Sequence, residues 1–153
     1  MHTGLAAPSR DPAQFGHVDQ AKPGVDDHSA QSGLRTVQGE LQRVLGHLFD
    51  AVVEVQCAGR TDAGVHATGQ VAHVDVGAWP SAVDAARINR ALPDDVRVRD
   101  LEIAPAGFDA RFSAIWRQYV YRVCDDGLGP DPLLRHLVLP WSRPLDVDTM
   151  NAA

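Results

Sequence analysis

Cysteine is scarce in this chain of 153 residues: Cys57 and Cys124 are the only two. Their separation fits neither a metal-ligand pair nor a disulfide scaffold, so buried thiols in a reducing compartment are the expectation. Long apolar runs are missing as well. No stretch approaches the roughly 18 consecutive apolar residues of a membrane-crossing helix. The opening Met1-His-Thr-Gly-Leu-Ala-Ala-Pro-Ser-Arg10 lacks the charged-then-apolar order of a signal peptide. The sequence therefore reads as cytoplasmic, with no membrane partner. Positive charge is in deficit too, at a net −6. Taken alone, that balance points away from nucleic acid, whose binding normally rides on a basic surface.

The deficit is uneven. Residues 1–30 hold four acids against Arg10 and Lys22, and 125–148 hold five against Arg135 and Arg143. Between Arg60 and Arg122, eight arginines balance eight acids. The basic side chains there are all arginine, the residue best suited to bidentate phosphate contacts. The middle of the chain thus permits RNA binding without requiring it. A hydrophobic content of 44% with 22% charged residues fits an ordinary globular protein, and the length suits one domain with a real core better than two.

The segment with the most chemistry runs from Ala58 to Val76. It begins on Val52-Val-Glu-Val-Gln-Cys57, where Val53, Val55 and Cys57 alternate, and ends on Gln70-Val-Ala-His-Val-Asp-Val76, where Ala72, Val74 and Val76 alternate. Each reads as a strand with one buried face. Asp62, two residues after Arg60, then falls in a glycine-bounded strand-to-strand turn, the kind of place where a sheet holds a reactive side chain in reach of substrate. An isolated Asp-x-Gly is usually turn chemistry and nothing more. His66, His73 and Asp75 also lie in this stretch, but their spacing matches no common metal-ligand pattern. A metal hydrolase is therefore the weaker reading, and the default for these histidines is surface or core.

The run Gly59-Arg-Thr-Asp-Ala-Gly-Val-His66, followed by Gly69-Gln-Val71, resembles the signature of the TruA family of tRNA pseudouridine synthases. Leu34-Arg-Thr-Val-Gln-Gly-Glu-Leu41 is similar to that family's entry into its first helix. Phe108-Asp-Ala-Arg-Phe-Ser-Ala114 with Arg117-Gln-Tyr-Val-Tyr121 is similar to the stretch that brings an aromatic ring against the target base. The likeness covers about residues 34–145. It implies an isomerase that converts uridine to pseudouridine in the anticodon arm of tRNA, with Asp62 as nucleophile and no metal or organic cofactor. A carboxylate is suited to that role, as in glycosidases. The resemblance also assigns Tyr119 to stacking on the uracil, consistent with how enzymes hold an extruded base. Arg60 would keep Asp62 ionised by its opposite charge, and could order the loop or contact phosphate. The family pattern further implies a homodimer that shares one tRNA. Without it, Tyr119 would read as a core residue of a strand, and core is the expectation for Tyr121 in either case.

Read coarsely, the segments alternate between helix and strand. Val37, Leu41, Val44, Leu45 and Leu48 recur at helical spacing after Thr36, a good N-cap, and predict a helix over 37–49. Ser81-Ala-Val-Asp84 resembles a capping box that opens a helix to about Leu92. Val96 and Val98 start a further strand, and the period-2 pattern over 116–124 predicts another. Little regular structure is expected beyond Gly127-Leu-Gly-Pro-Asp-Pro132. This order suits an α+β domain with helices on one face of a mainly antiparallel sheet, and the resemblance implies a ferredoxin-like half-domain. Residues 1–33 are rich in Pro, Gly and Asp and lack the family's opening motifs, so disorder is expected there. The family continues into a second half, which residues 146–153 would begin. A truncated relative without turnover, at most a weak RNA-binding module, is the alternative reading.

Overall fold

Thirteen residues from Val37 to Phe49 form helix α1, as the apolar spacing predicts. The computed structural model describes residues 12–20 and 35–152. At the start of α1 the Thr36 hydroxyl accepts from the Gly39 amide at 2.9 Å, which satisfies one of the amides that a helix start leaves without a partner. At its end Asp50 takes a left-handed conformation (φ 50°) and the Ala51 amide donates back to the Gly46 carbonyl. That closure is the usual way a helix turns out of its last turn. Val37, Leu41, Val44 and Leu45 are all buried.

Four more elements follow the expected order. Strand β2, Val55–Cys57, and strand β3, Gln70–Asp75, pair antiparallel with Val55 opposite Val74. Val53, Val55, Ala72 and Val74 are buried, so the alternation read from the sequence is the face turned towards α1. Helix α2 spans Ala85–Ala91 and begins later than the Ser81 expectation. Asp84, not Ser81, is its cap: its carboxylate accepts from the Arg87 amide at 2.7 Å, while the Val83 amide is taken by the Pro80 carbonyl in a preceding turn. Strand β4, Val96–Ile103, starts at the expected residue.

The Pro12–Gln20 segment forms strand β1, inside the stretch for which disorder is expected. It runs antiparallel to both β3 and β4, so the sheet order is β2-β3-β1-β4. Composition averaged over thirty residues hides a nine-residue strand whose backbone finds partners on either side. The rest of 1–33 lies outside the described residues. The α+β expectation, with helices packed on a mainly antiparallel sheet, is met. Residues from α1, α2, β2, β3 and β4 share one apolar cluster, so both helices cover the same sheet face.

Both sheet edges receive a side-chain amide. Gln38 on α1 donates to the Val55 carbonyl of β2 at 2.6 Å. Asn89 on α2 donates to the Val98 carbonyl of β4 at 2.7 Å and accepts from the Val98 amide at 2.8 Å. Arg35 ties the start of α1 to the turn before β4 through two contacts with the Asp95 carboxylate, at 2.6 and 2.7 Å. Arg35 also donates to Glu40, and the Asp95 bond raises the basicity of its guanidinium.

The described residues divide into two compact units between Ile115 and Trp116. In the second unit, strands β5, Val123–Cys124, and β6, Leu139–Pro140, pair in parallel, and helix α3 spans Val147–Ala152. The strand expected over 116–124 is reduced to its last two residues. A strand needs a neighbour to hydrogen-bond, and among the described residues the pairing with β6 reaches back no further than the Arg122 carbonyl, which accepts from the Leu139 amide at 2.8 Å. Helix α3 lies where little regular structure is expected. Its signal is local: the Asp146 carboxylate accepts from the Thr149 amide and hydroxyl, a cap that Asp-x-x-Thr spells out.

Candidate active site

Between β2 and β3 the chain makes a loop that carries Arg60 and Asp62. Its base is closed twice: the Ala58 amide donates to the Val71 carbonyl at 2.8 Å, and the Gln70 side chain donates to the Gly59 carbonyl at 2.7 Å. Its tip is a tight turn in which the Val65 amide donates to the Asp62 carbonyl at 3.1 Å. Gly64 supplies the positive φ of 81° that the third position of a type II turn requires. Glycine is the residue that adopts this conformation without strain.

Asp62 is exposed, and its carboxylate accepts no hydrogen bond among the described residues. An Asp used as an Asx-turn cap would spend its oxygens on backbone amides. Here the backbone carbonyl of Asp62 makes the turn and the carboxylate stays open to a substrate. Arg60 is exposed in the same loop. Two residues apart, the two charges share the loop.

Tyr119 lies in the second unit, away from regular structure, and is 72% exposed. Tyr121, on the same side of the sequence pattern, is 88% exposed. The core alternative that the period-2 pattern offers for these rings therefore does not hold. Arg60 and Asp62 are brought into one loop, and Tyr119 belongs to the other unit.

A third segment stands out by its hydrogen bonding. In residues 108–113 every backbone amide has an acceptor. Phe108 donates to the Pro105 carbonyl and Ser113 to the Asp109 carbonyl. Asp109 donates to the Ser113 hydroxyl. Arg111 and Phe112 both donate to the Asp109 carboxylate, at 2.7 and 3.0 Å. The remaining amide, Ala110, donates to Nδ1 of His73 at 3.0 Å. His73 is buried, on the sheet face opposite the helices, with Phe108 edge-on to its ring at 6.1 Å. Sequence spacing leaves His73 as a default core histidine; the missed signal is Asp109-Ala-Arg-Phe-Ser113, whose Asp and Ser are the types that fold a turn on themselves. Nδ1 of His73 is occupied by an amide, and no cluster suited to a metal ion occurs among the described residues.

Several curated proteins with similar sequences are named tRNA pseudouridine synthase A. A tRNA pseudouridine synthase A from Streptomyces avermitilis is 53% identical over 129 residues, which is 80% of this chain and 45% of that protein. Its counterpart in Corynebacterium glutamicum is 43% identical over 150 residues, covering 89% of the chain and 52% of the relative. The chain belongs to the tRNA pseudouridine synthase A family. It spans about half the length of the curated relatives it matches. One from Cutibacterium acnes is 47% identical over 131 residues. No family model matches the chain. Among the described residues no helix is long and apolar enough to cross a membrane.

Proposed function

We propose that this chain carries the nucleophile-bearing half of a tRNA pseudouridine synthase, acting on uridine in the anticodon arm of tRNA. The observation that carries the reading is the Asp62 carboxylate: exposed, without an acceptor's role in its own turn, on a loop closed at the base by Ala58 and Gln70. In the isomerisation the bond between the sugar and N1 breaks, the uracil turns, C5 bonds to the same sugar carbon, the C5 proton leaves and N1 takes up a proton from solvent. Nothing is oxidised or reduced. Asp62 acts as the nucleophile, at the sugar or at the ring, and is regenerated when the new carbon–carbon bond has formed. Tyr119, an exposed ring, stacks on the extruded base. Arg60 contacts RNA phosphate. The order β-α-β-β-α-β of the first unit supports a ferredoxin-like half-domain, and the family expectation is a cytoplasmic homodimer.

The test is C5-tritium release from labelled, unmodified tRNA by the 153-residue chain, with Asp62→Ala beside it. Release by the parent and none by the variant is the expected result. Absence of release from both, with the chain folded by circular dichroism, replaces this reading with that of a catalytically silent RNA-binding module.

A further inference from the structure

Every amide of the 108–113 turn is satisfied, and five of the six donate to acceptors within residues 105–113. The sixth donates to His73, thirty-seven residues earlier, in the strand that leaves the Asp62 loop. The same strand supplies Gln70, whose side chain closes that loop on Gly59. Thus β3 holds the candidate nucleophile's loop with one residue and the Phe108–Ser113 turn with another, three positions on. Ala110 is 2% exposed, so its amide would be left buried and unpaired if the imidazole acceptor were lost, which proteins rarely tolerate. An Nδ1 that accepts must carry no proton, which places the imidazole proton on Nε2. The turn so held shows Arg111 and Phe112 to solvent, the guanidinium 5.6 Å above the ring centroid. A cation and a ring face presented together suit phosphate and base contacts.

We propose that His73 is a positioning residue: its Nδ1 clamps the Phe108–Ser113 turn to β3 and so sets Arg111 and Phe112 for tRNA at a constant distance from the Asp62 loop. This rests on the reading of the Asp62 loop as a tRNA site. Asn is the conservative replacement, since its Oδ1 stands near the place of Nδ1 and accepts; Phe keeps the ring and removes the acceptor.

The experiment is amide hydrogen exchange at Ala110, measured by NMR on the full chain, for the parent, His73→Phe and His73→Asn, together with affinity for unmodified tRNA. The expected result is exchange at Ala110 faster by about tenfold in His73→Phe, the effect of one lost hydrogen bond, and close to the parent in His73→Asn. Affinity for tRNA should follow the same order, weaker in His73→Phe and restored in His73→Asn. Unchanged exchange in a folded His73→Phe, or lost protection in His73→Asn, overturns the clamp. Altered exchange with unaltered affinity overturns its role in positioning. Should His73→Phe not fold, the parent still decides: ¹⁵N shifts that put the proton on Nδ1 refute the proposal, and His73→Asn must keep both protection and affinity. A chain that binds no tRNA at all sinks the proposed function, whereas the exchange at Ala110 still reports on the clamp.

Discussion

The two units of this molecule hold similar kinds of side chain and use them differently. In the first, apolar residues of α1, α2, β2, β3 and β4 close into one buried cluster. In the second, no residue from Trp116 to Ala152 is buried, although Trp116, Tyr119, Tyr121, Leu128, Leu133 and Leu139 are large and apolar. Apolar content does not by itself make a core. A core needs elements long enough to present a continuous face to one another, and the second unit offers two-residue strands and a six-residue helix. The candidate nucleophile sits on the packed unit and the candidate stacking ring on the other.

That contrast can be tested by stability. Leu45→Ala empties a position with no solvent exposure and should lower the unfolding free energy by about 3 kcal/mol. Leu133, 86% exposed, should cost under about 0.5 kcal/mol on the same change. Urea unfolding of the two variants checks the pair, and equal losses would break the distinction between the units. A smaller effect sharpens the picture of the first unit: Thr36→Ala removes the cap on Gly39 and should cost about 1 kcal/mol in the same measurement. The smallest effect belongs to α3. The Thr149 amide, followed by its hydroxyl, holds the Asp146 carboxyl below the usual carboxylate range. A lowered value in the folded state means that the cap contributes fully above the unfolded-state value and is lost as pH falls through the folded-state value. Amide shifts of 147–152 should therefore move towards coil in acid while those of α1 hold. Loss of α1 before α3 would reverse the ranking.

How much of this was legible in the sequence depends on how local each cause is. Helix α1 was readable to the residue because its spacing, its Thr36 cap and its buried face are written within one stretch. The start of α2 was displaced because Ser81 and Asp84 both qualify as caps, and only the turn at Pro80 and Val83 decides between them. Strand β1 was hidden because its pairing lies with residues more than fifty positions away. The loop with Arg60 and Asp62 was legible in the same way as α1. The tie between His73 and Ala110 was not, since its acceptor is a side chain with many possible roles and its donor a backbone amide that any residue carries. The strand expected for Tyr119 failed for a different reason: alternation describes which faces a strand would have, but not whether a neighbour is there to pair with it.

The amides of Gln38 and Asn89 have a consequence for colloidal behaviour. Strands β2 and β4 are the rims of the sheet, and a bare rim is a template on which another chain can add itself. Each helix spends a side chain on the backbone at one rim: Gln38 on the Val55 carbonyl, Asn89 on both polar groups of Val98. The plugs are reversible and carry no charge, so they guard the rim equally at low and high salt. Concentrated solutions of an Asn89→Leu variant should turn cloudy sooner than those of the parent, which makes one amide a determinant of solubility as much as of fold.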